Sequence, residues 1–337
     1  MSRDSIQKLK DFFLSIESRT QKPLSKITVS NYVSKLNKLS MLVKGTMWDG
    51  DTSFLEQPEV VLEKISKSGV SGKKDYLSPV LRLLKHSNAP QNLISAYQRA
   101  LSDFKNDEYK LRKKNKAKPH LIKASLPYSE VVEKIQNFKV QTKEDLLYKV
   151  IVSIYFLGTL VPRNDLNIVK LASTSKKPKD LNVEFNYILV DKEGTPISMV
   201  WNKYKSNHTF GSVKFPIPIA LQKLLKTFIQ ANEKKNGDFL FTKPNGKEYT
   251  KYDFLELIKK ATKAVLGTEM GVDLIRQIQV TEYYRDGVKS IEEDEKDAHR
   301  FLHSVAQHKE YFKSDLAHSD DETDDDDKET SETNENE

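Results

Sequence analysis

The chain has 337 residues, 55 lysines and arginines against 48 aspartates and glutamates, and no cysteine. Without cysteine there is no disulfide scaffold, no thiolate zinc site and no thiol nucleophile, so the zinc-finger class is excluded. No apolar run reaches the ~18 residues of a membrane span, and the charged start, Met1 to Lys10, lacks a signal-peptide core, so the reading is of a soluble intracellular protein.

The net charge of +7 conceals an asymmetry. Residues 319–337 hold 11 acids and one base, Lys328, which leaves 54 bases and 37 acids, a net +17, on residues 1–318. An excess of that size points to a polyanionic partner, because Lys and Arg that neutralise phosphates release condensed counterions. A merely well-solvated surface is the alternative.

The length suits two domains. Across Leu24 to Val43, Ile27, Val29, Tyr32, Leu36, Leu39, Leu42 and Val43 recur at helical spacing, with Ser25 or Thr28 as N-cap. A Gly- and Asp-containing loop, Gly45 to Ser53, comes next. Helical patterns return at Val60 to Lys67, Tyr76 to His86 and Leu93 to Lys105, so residues 1–108 read as an all-helical domain. Tyr109 to Lys123, YKLRKKNKAKPHLIK, holds seven Lys or Arg and a helix-ending Pro119. We read 109–125 as a basic linker in which Lys110, Arg112, Lys113, Lys114, Lys116 and Lys118 are candidate DNA contacts, the plainer reading being a solvated tether.

A second domain is predicted over 126–316. Leu146 to Leu160 is its most apolar helix. Tyr187 to Val190 and Ser198 to Trp201 read as strands around the turn residues Asp191 to Thr195, and Ser212 to Pro216 as a third. Helices resume at Ile219 to Asn232, Tyr252 to Leu266, Asp273 to Arg285 and Glu293 to Lys309. From 317 to the end the acidic, low-complexity composition predicts disorder. We read that tail as inert, the other reading being a competitor of DNA for the basic surface. The predicted fold class is mainly α with a small antiparallel sheet, α+β.

Chemistry-bearing residues recur in short segments of the second half. LGTLVPRNDLNIVKL, Leu157 to Leu171, places Arg163 after an apolar helix and before Asn164 and Asp165. WNKYKSNHTFGSVKFPIP, Trp201 to Pro218, carries Lys205, with Lys203 as its rival, in a strand-turn-strand. GVDLIRQIQVTE, Gly271 to Glu282, carries Asp273 and Arg276, and FLHSVAQHKEY, Phe301 to Tyr311, carries His303, Ser304 and Tyr311. Each residue taken alone is an ordinary surface or packing residue. There is no Gly-rich nucleotide loop and no convincing carboxylate triad for a two-metal nuclease.

In order and context these segments resemble the active-site boxes of the tyrosine recombinase family, in the branch found in eukaryotic mobile elements and large DNA viruses. The resemblance spans Leu126 to Leu316. It implies a core-binding helical domain followed by a catalytic domain, closing as a C-shaped clamp on double-stranded DNA. It further implies a homo-tetramer during strand exchange, a dimer at each site, and a location at DNA, in a nucleus or virus factory. Arg163 and Arg276 would hold the non-bridging phosphate oxygens, and Lys205 would protonate the departing 5′ oxygen. His303 would hold a phosphate oxygen or assist proton transfer, and Tyr311 would form a 3′-phosphotyrosine, with no metal or other cofactor.

Asp273 departs from the pattern. It stands where the family commonly has the histidine of His-x-x-Arg, and an ionised carboxylate cannot donate to phosphate; capping the helix N-terminus is its other expected role. His303 and Tyr311 are eight residues apart, roughly 12 Å along a helix, so the helix is expected to break or bend between them. Tyr283 and Tyr284 are rival nucleophiles, expected to face the core of the Arg276 helix. Two other functions remain open: relaxation of supercoils in the manner of a type IB topoisomerase, and DNA binding by an inactive protein of the same fold.

Overall fold

Runs of good helix formers, interrupted by glycine, proline and asparagine, make both halves of the chain mostly helical. The computed structural model describes residues 3–16, 23–176 and 178–317, so the expected disorder of the acidic tail falls outside the described residues. The chain divides into two units, 1–114 and 115–337. None of the described helices is long and apolar enough to cross a membrane.

The first unit contains α1 (Arg3–Ser15), α2 (Lys26–Lys44), α3 (Pro58–Ile65), α4 (Val70–His86) and α5 (Gln91–Lys113). Ser25 caps α2 by accepting from the Thr28 amide, and Gly45 ends it in the left-handed conformation, φ 73°. Phe13, Leu36, Leu39, Leu55, Val61, Leu77, Val80 and Tyr97 form its core, and the Tyr97 hydroxyl donates to the Leu55 carbonyl at 2.9 Å. Helix α5 runs eight residues past the expected end at Lys105. No Gly or Pro interrupts it, Glu108 pairs with Arg112 one turn on, and Lys110, Arg112 and Lys113 meet the negative end of the helix dipole. The segment read as a basic linker is thus helical as far as Lys113, and Asn115, φ 49°, turns the chain.

Beyond that turn the chain is tied down. The Ala117 amide donates to the Asp315 carboxylate at 2.8 Å, and the Ser314 amide to the Asn115 carbonyl at 2.9 Å. The second unit continues with α6 (Pro119–Ile122), α7 (Tyr128–Asn137) and α8 (Lys143–Leu157). A capping box of Thr142 and Asp145 starts α8, and Gly158 stops it three residues before the expected Leu160. Val150, Ile151, Val152, Ile154 and Tyr155 are wholly buried, so α8 is the central strut against which other helices of the unit pack.

Next comes a four-stranded sheet, β1 (Val169–Ser173), β2 (Asn186–Val190), β3 (Pro196–Trp201) and β4 (Val213–Pro216), in the order β1-β2-β3-β4. The three expected strands are present and antiparallel; β1, unforeseen, pairs parallel to β2, Val169 opposite Asn186, which makes the sheet mixed. Its outer edge is covered by residues 237–240, with Leu171 bonding Gly237 and Asp238. A short helix, α9 (Asn207–Phe210), interrupts the β3–β4 connection.

The remaining helices are α10 (Ile219–Ala231), α11 (Lys251–Leu266), α12 (Val272–Tyr283), α13 (Ile291–Arg300) and α14 (Val305–Tyr311). The single helix expected over Glu293 to Lys309 is two. Leu302, φ 53°, takes the left-handed position that ends α13, with the His303 amide bonding back to Ala298 and the Leu302 amide to His299. Ser304 then caps α14 by accepting from the Gln307 amide.

Candidate active site

Arg276 anchors the site. It lies in the first half of α12 and is wholly buried. One terminal nitrogen donates to the Val161 carbonyl at 2.7 Å; the other donates to the Phe301 carbonyl at 2.9 Å and meets His303 Nδ1 at 3.1 Å. Its Nε has no hydrogen-bond partner. Burial pulls the Arg276 pKa down and Arg163 adds to this, while Tyr311 and Asp273 oppose them. The guanidinium lies 5.1 Å from the centre of the Tyr311 ring and 4.9 Å from that of Phe301, within cation–π range.

Three chain segments converge on that guanidinium because the backbone is stitched together around it. Arg300, at the end of α13, donates to the Thr159 and Gly158 carbonyls, and the Val161 amide returns a bond to the Arg300 carbonyl at 2.9 Å. Gly158 is required for this approach: a Cβ there would stand 2.4 Å from the Ile154 carbonyl oxygen. The Tyr155 hydroxyl donates to the Arg163 carbonyl at 2.5 Å, and Gln279 of α12 donates to the Tyr155 carbonyl at 2.9 Å. Arg163 is thereby placed near Arg276 by the Tyr155 bond to its carbonyl, while its half-buried guanidinium holds no hydrogen bond among the described residues.

The β3–β4 connection is pinned to the same place. Asn186, fully buried at the start of β2, accepts from the amides of Asn202 and Lys203 and donates to the carbonyls of Asp165 and Lys203. Ser206 donates to the Leu302 carbonyl at 2.6 Å, one residue before His303. Lys205 is exposed, without a hydrogen bond or ion pair among the described residues, and lines one cleft with Arg163, Asp165, Ser206, Phe301 and Leu302. Lys203, its rival, is exposed and paired with Glu184 at 2.7 Å. Asp165 is the buried carboxyl of this cleft; burial raises its pKa, and Lys251, Arg163 and Arg276 oppose the rise.

His303 is almost wholly buried and stacked on Phe301. Both ring nitrogens are taken, Nδ1 by Arg276 and Nε2 by His308 Nδ1 at 2.8 Å. Burial first, then Arg276, His308 and Arg163, push its pKa down to about 2, so the ring is neutral. In this arrangement both nitrogens of His303 are engaged within the protein and neither is turned to the cleft. Its ring lies 5.4 Å from the Tyr311 ring with no break in α14. The expected break or bend between them is absent because His303 precedes the helix, on the turn made by Leu302, so the rise per residue does not apply to it.

Asp273 does not cap α12. The cap position is Gly271, without a side-chain bond, and Asp273 sits exposed in the first turn. The rival tyrosines pack against His308. Burial pushes the Tyr283 phenol up to about 12; burial and the hydrogen bond to Asp294 push Tyr284 higher still, so both environments oppose a phenolate. Lys110, Arg112, Lys113 and Lys114 are exposed at the end of α5, Arg112 pairing with Glu108, and Lys116 and Lys118 are exposed just beyond.

Sequence reasoning brought Arg276, His303 and Tyr311 to attention and missed Arg300, His308, Asp297 and Asn186. His308 Nε2 lies 3.1 Å from an Asp297 oxygen, not aligned as a hydrogen bond, and Arg300 donates to the other Asp297 oxygen at 2.7 Å. The available signal was the second histidine in FLHSVAQHKEY and the three-residue spacing of Asp297 and Arg300.

No protein-family model matches the chain, and no curated protein sequence matches it. Among solved structures, the crystal structure of XerA recombinase matches over 95% of each chain at 13% identity and a TM-score of 0.39. A likeness that loose assigns no function.

Proposed function

We propose that this chain is a tyrosine recombinase, an enzyme that breaks and rejoins double-stranded DNA through a covalent bond to Tyr311. The observation that carries the reading is the packing of Tyr311 over a buried arginine, Arg276, that is held only by neutral acceptors. Phosphoryl transfer asks a protein chiefly for positioning and for cations where charge develops. Arg276, wholly buried with both terminal nitrogens engaged by the protein, contributes its charge and an unbonded Nε, and Arg163, half-buried and without a hydrogen bond among the described residues, offers the open fork for the non-bridging oxygens. A phenol with an ordinary pKa of about 10 is a poor nucleophile until nearby cations favour its phenolate.

In the cleavage step the Tyr311 oxygen attacks the scissile phosphorus, the phenol proton passes to solvent, and the bond from phosphorus to the 5′ oxygen breaks. Lys205 protonates that oxygen. The 3′-phosphotyrosine keeps the bond energy, so attack by a 5′ hydroxyl reseals a strand without ATP or metal. His303 serves by orienting Arg276. Lys110, Arg112, Lys113, Lys114, Lys116 and Lys118 would meet backbone phosphates, the sequence-independent part of the affinity. The assignment of 1–108 to DNA binding and 126–316 to catalysis, and a tetramer on DNA, belong to the same proposal, as does a role in integration or resolution.

The test is incubation in EDTA with nicked suicide duplexes made from genomic fragments. A denaturation-resistant adduct that maps to Tyr311 and disappears in Tyr311→Phe is the expected result. Binding to those fragments without an adduct would reject the enzyme in favour of an inactive DNA-binding protein.

A further inference from the structure

Behind the site runs a buried chain of polar groups that the cleavage chemistry leaves unexplained. Arg276 is wholly buried, His303 is 3% exposed, His308 is fully enclosed and Asp297 is 6% exposed. A guanidinium can only donate, so His303 Nδ1 must be bare and its Nε2 must carry the hydrogen. That hydrogen faces His308 Nδ1 at 2.8 Å, which must therefore be bare in turn. His308 then carries its hydrogen on Nε2, 3.1 Å from Asp297. Arg300 fixes the far end by donating to Asp297 and to the carbonyls of residues 158 and 159. The donors point one way from Arg276 through His303 to His308, whose Nε2 then lies beside the Asp297 carboxylate without an aligned hydrogen bond.

We propose that His308 and Asp297 are positioning residues for Arg276, and that the two imidazoles between cation and carboxylate leave the guanidinium charge available to a phosphate. The inference rests on the recombinase reading of the site. A buried arginine is usually held by a carboxylate, which orients it and also neutralises it. Here two carbonyls and a neutral imidazole do the orienting, and the anion stands two rings away. A carboxylate in direct contact would compete with the phosphate for the same donors. Direct contact between His303 and a solvent water would leave its tautomer free to switch, turning Nδ1–H against the guanidinium. His308 prevents that switch because its bare Nδ1 accepts only from a protonated His303 Nε2. The ring is held in turn by Tyr283, Tyr284 and Phe301, with centroids 5.6, 5.8 and 5.1 Å away.

The experiment compares His308→Leu, which fills the space without a nitrogen, with His308→Gln, whose amide can accept from His303 and donate to Asp297. Adduct formation on the nicked duplex and Kd for the uncut duplex are measured in the full chain. The leucine variant should form adduct about 100-fold more slowly with Kd changed less than about threefold, and glutamine should recover most of the rate. Ring-nitrogen NMR supplies a readout independent of catalysis: His303 should show a bare Nδ1 and a slowly exchanging Nε2 proton, and the slow exchange should be lost in His308→Leu. A leucine variant that cleaves at the wild-type rate, a glutamine variant as slow as leucine, or a wild-type His303 protonated on Nδ1 overturns the inference. A wild-type chain without adduct rejects the recombinase reading instead, and the ring spectrum then upholds or overturns the donor chain by itself.

Discussion

Replacing Arg276 by methionine should separate what this residue does for catalysis from what it does for stability. The change removes donors to the Val161 and Phe301 carbonyls and to His303 Nδ1. Hydrogen bonds from a charged donor contribute about 1.5–3 kcal/mol each, so the three amount to about 4.5–9 kcal/mol. Methionine also abolishes the desolvation of a buried cation, the same burial that lowers the Arg276 pKa, and this returns several kcal/mol. Since all three acceptors are neutral, no charge is stranded, and a net loss of about 2–4 kcal/mol is expected. Cleavage should fall much further, by about 100- to 1,000-fold, the scale for removing a preorganised donor from a developing oxyanion. Urea denaturation reads the first quantity and adduct formation on a suicide duplex the second. An Arg276→Met chain that forms adduct within about tenfold of wild type would refute the catalytic assignment. One that cannot fold would show that the guanidinium is chiefly structural.

Other perturbations probe the surroundings. Gly158→Ala drives a Cβ against the Ile154 carbonyl and should cost about 1–3 kcal/mol in urea denaturation; an unchanged midpoint would mean that the end of α8 yields freely. For His303, whose pKa is pushed down from 6.5 to about 2, the unfolded chain binds a proton that the folded chain refuses. Its contribution to stability is therefore complete above about pH 6.5 and falls as pH drops below it, by about 1.4 kcal/mol per unit, and His303→Gln should abolish that slope. Equal acid slopes in the two chains would contradict the buried neutral ring. Lys205→Ala should slow cleavage of ordinary DNA but spare a duplex with sulfur at the 5′ bridging position, whose thiolate leaves unprotonated; equal slowing of both would remove Lys205 as the acid. Lys116→Ala and Lys118→Ala should each reduce the slope of log affinity against log salt by about 0.9, and an unaltered slope would place these lysines off the DNA.

How much the sequence disclosed depends on which forces are local. Helical periodicity and caps such as Ser25 and the Thr142–Asp145 box announce α2 and α8 because both act within a few residues. Strand β1 escaped because five residues, VKLAS, carry no period worth reading, and its partner Asn186 lies beyond an intervening loop. The break at Leu302 was hidden by chemistry that argues against it, a leucine where glycine is favoured; the bonds to Ala298 and His299 and the seat of its buried side chain hold it there. Arg276 and Tyr311 were legible as residue types in order along the chain. That Arg276 would be enclosed and that Arg300 would stitch Gly158 and Thr159 into place depend on contacts spanning more than a hundred positions, which no local pattern encodes.

The pinning of the β3–β4 connection has a mechanical meaning. Asn186 grips the chain at Asn202 and Lys203, and Ser206 fastens it to the Leu302 carbonyl, so Lys205 stands between two mounts only a few residues apart. A span that short has little freedom to swing as a body. The lysine's own four-carbon stem supplies the travel: the backbone acts as a rigid mast and the ammonium as a weight on a line of fixed length. Approach to a phosphate then becomes a matter of a few torsions rather than the ordering of a loop, and a side chain one methylene shorter would reach a correspondingly smaller circle.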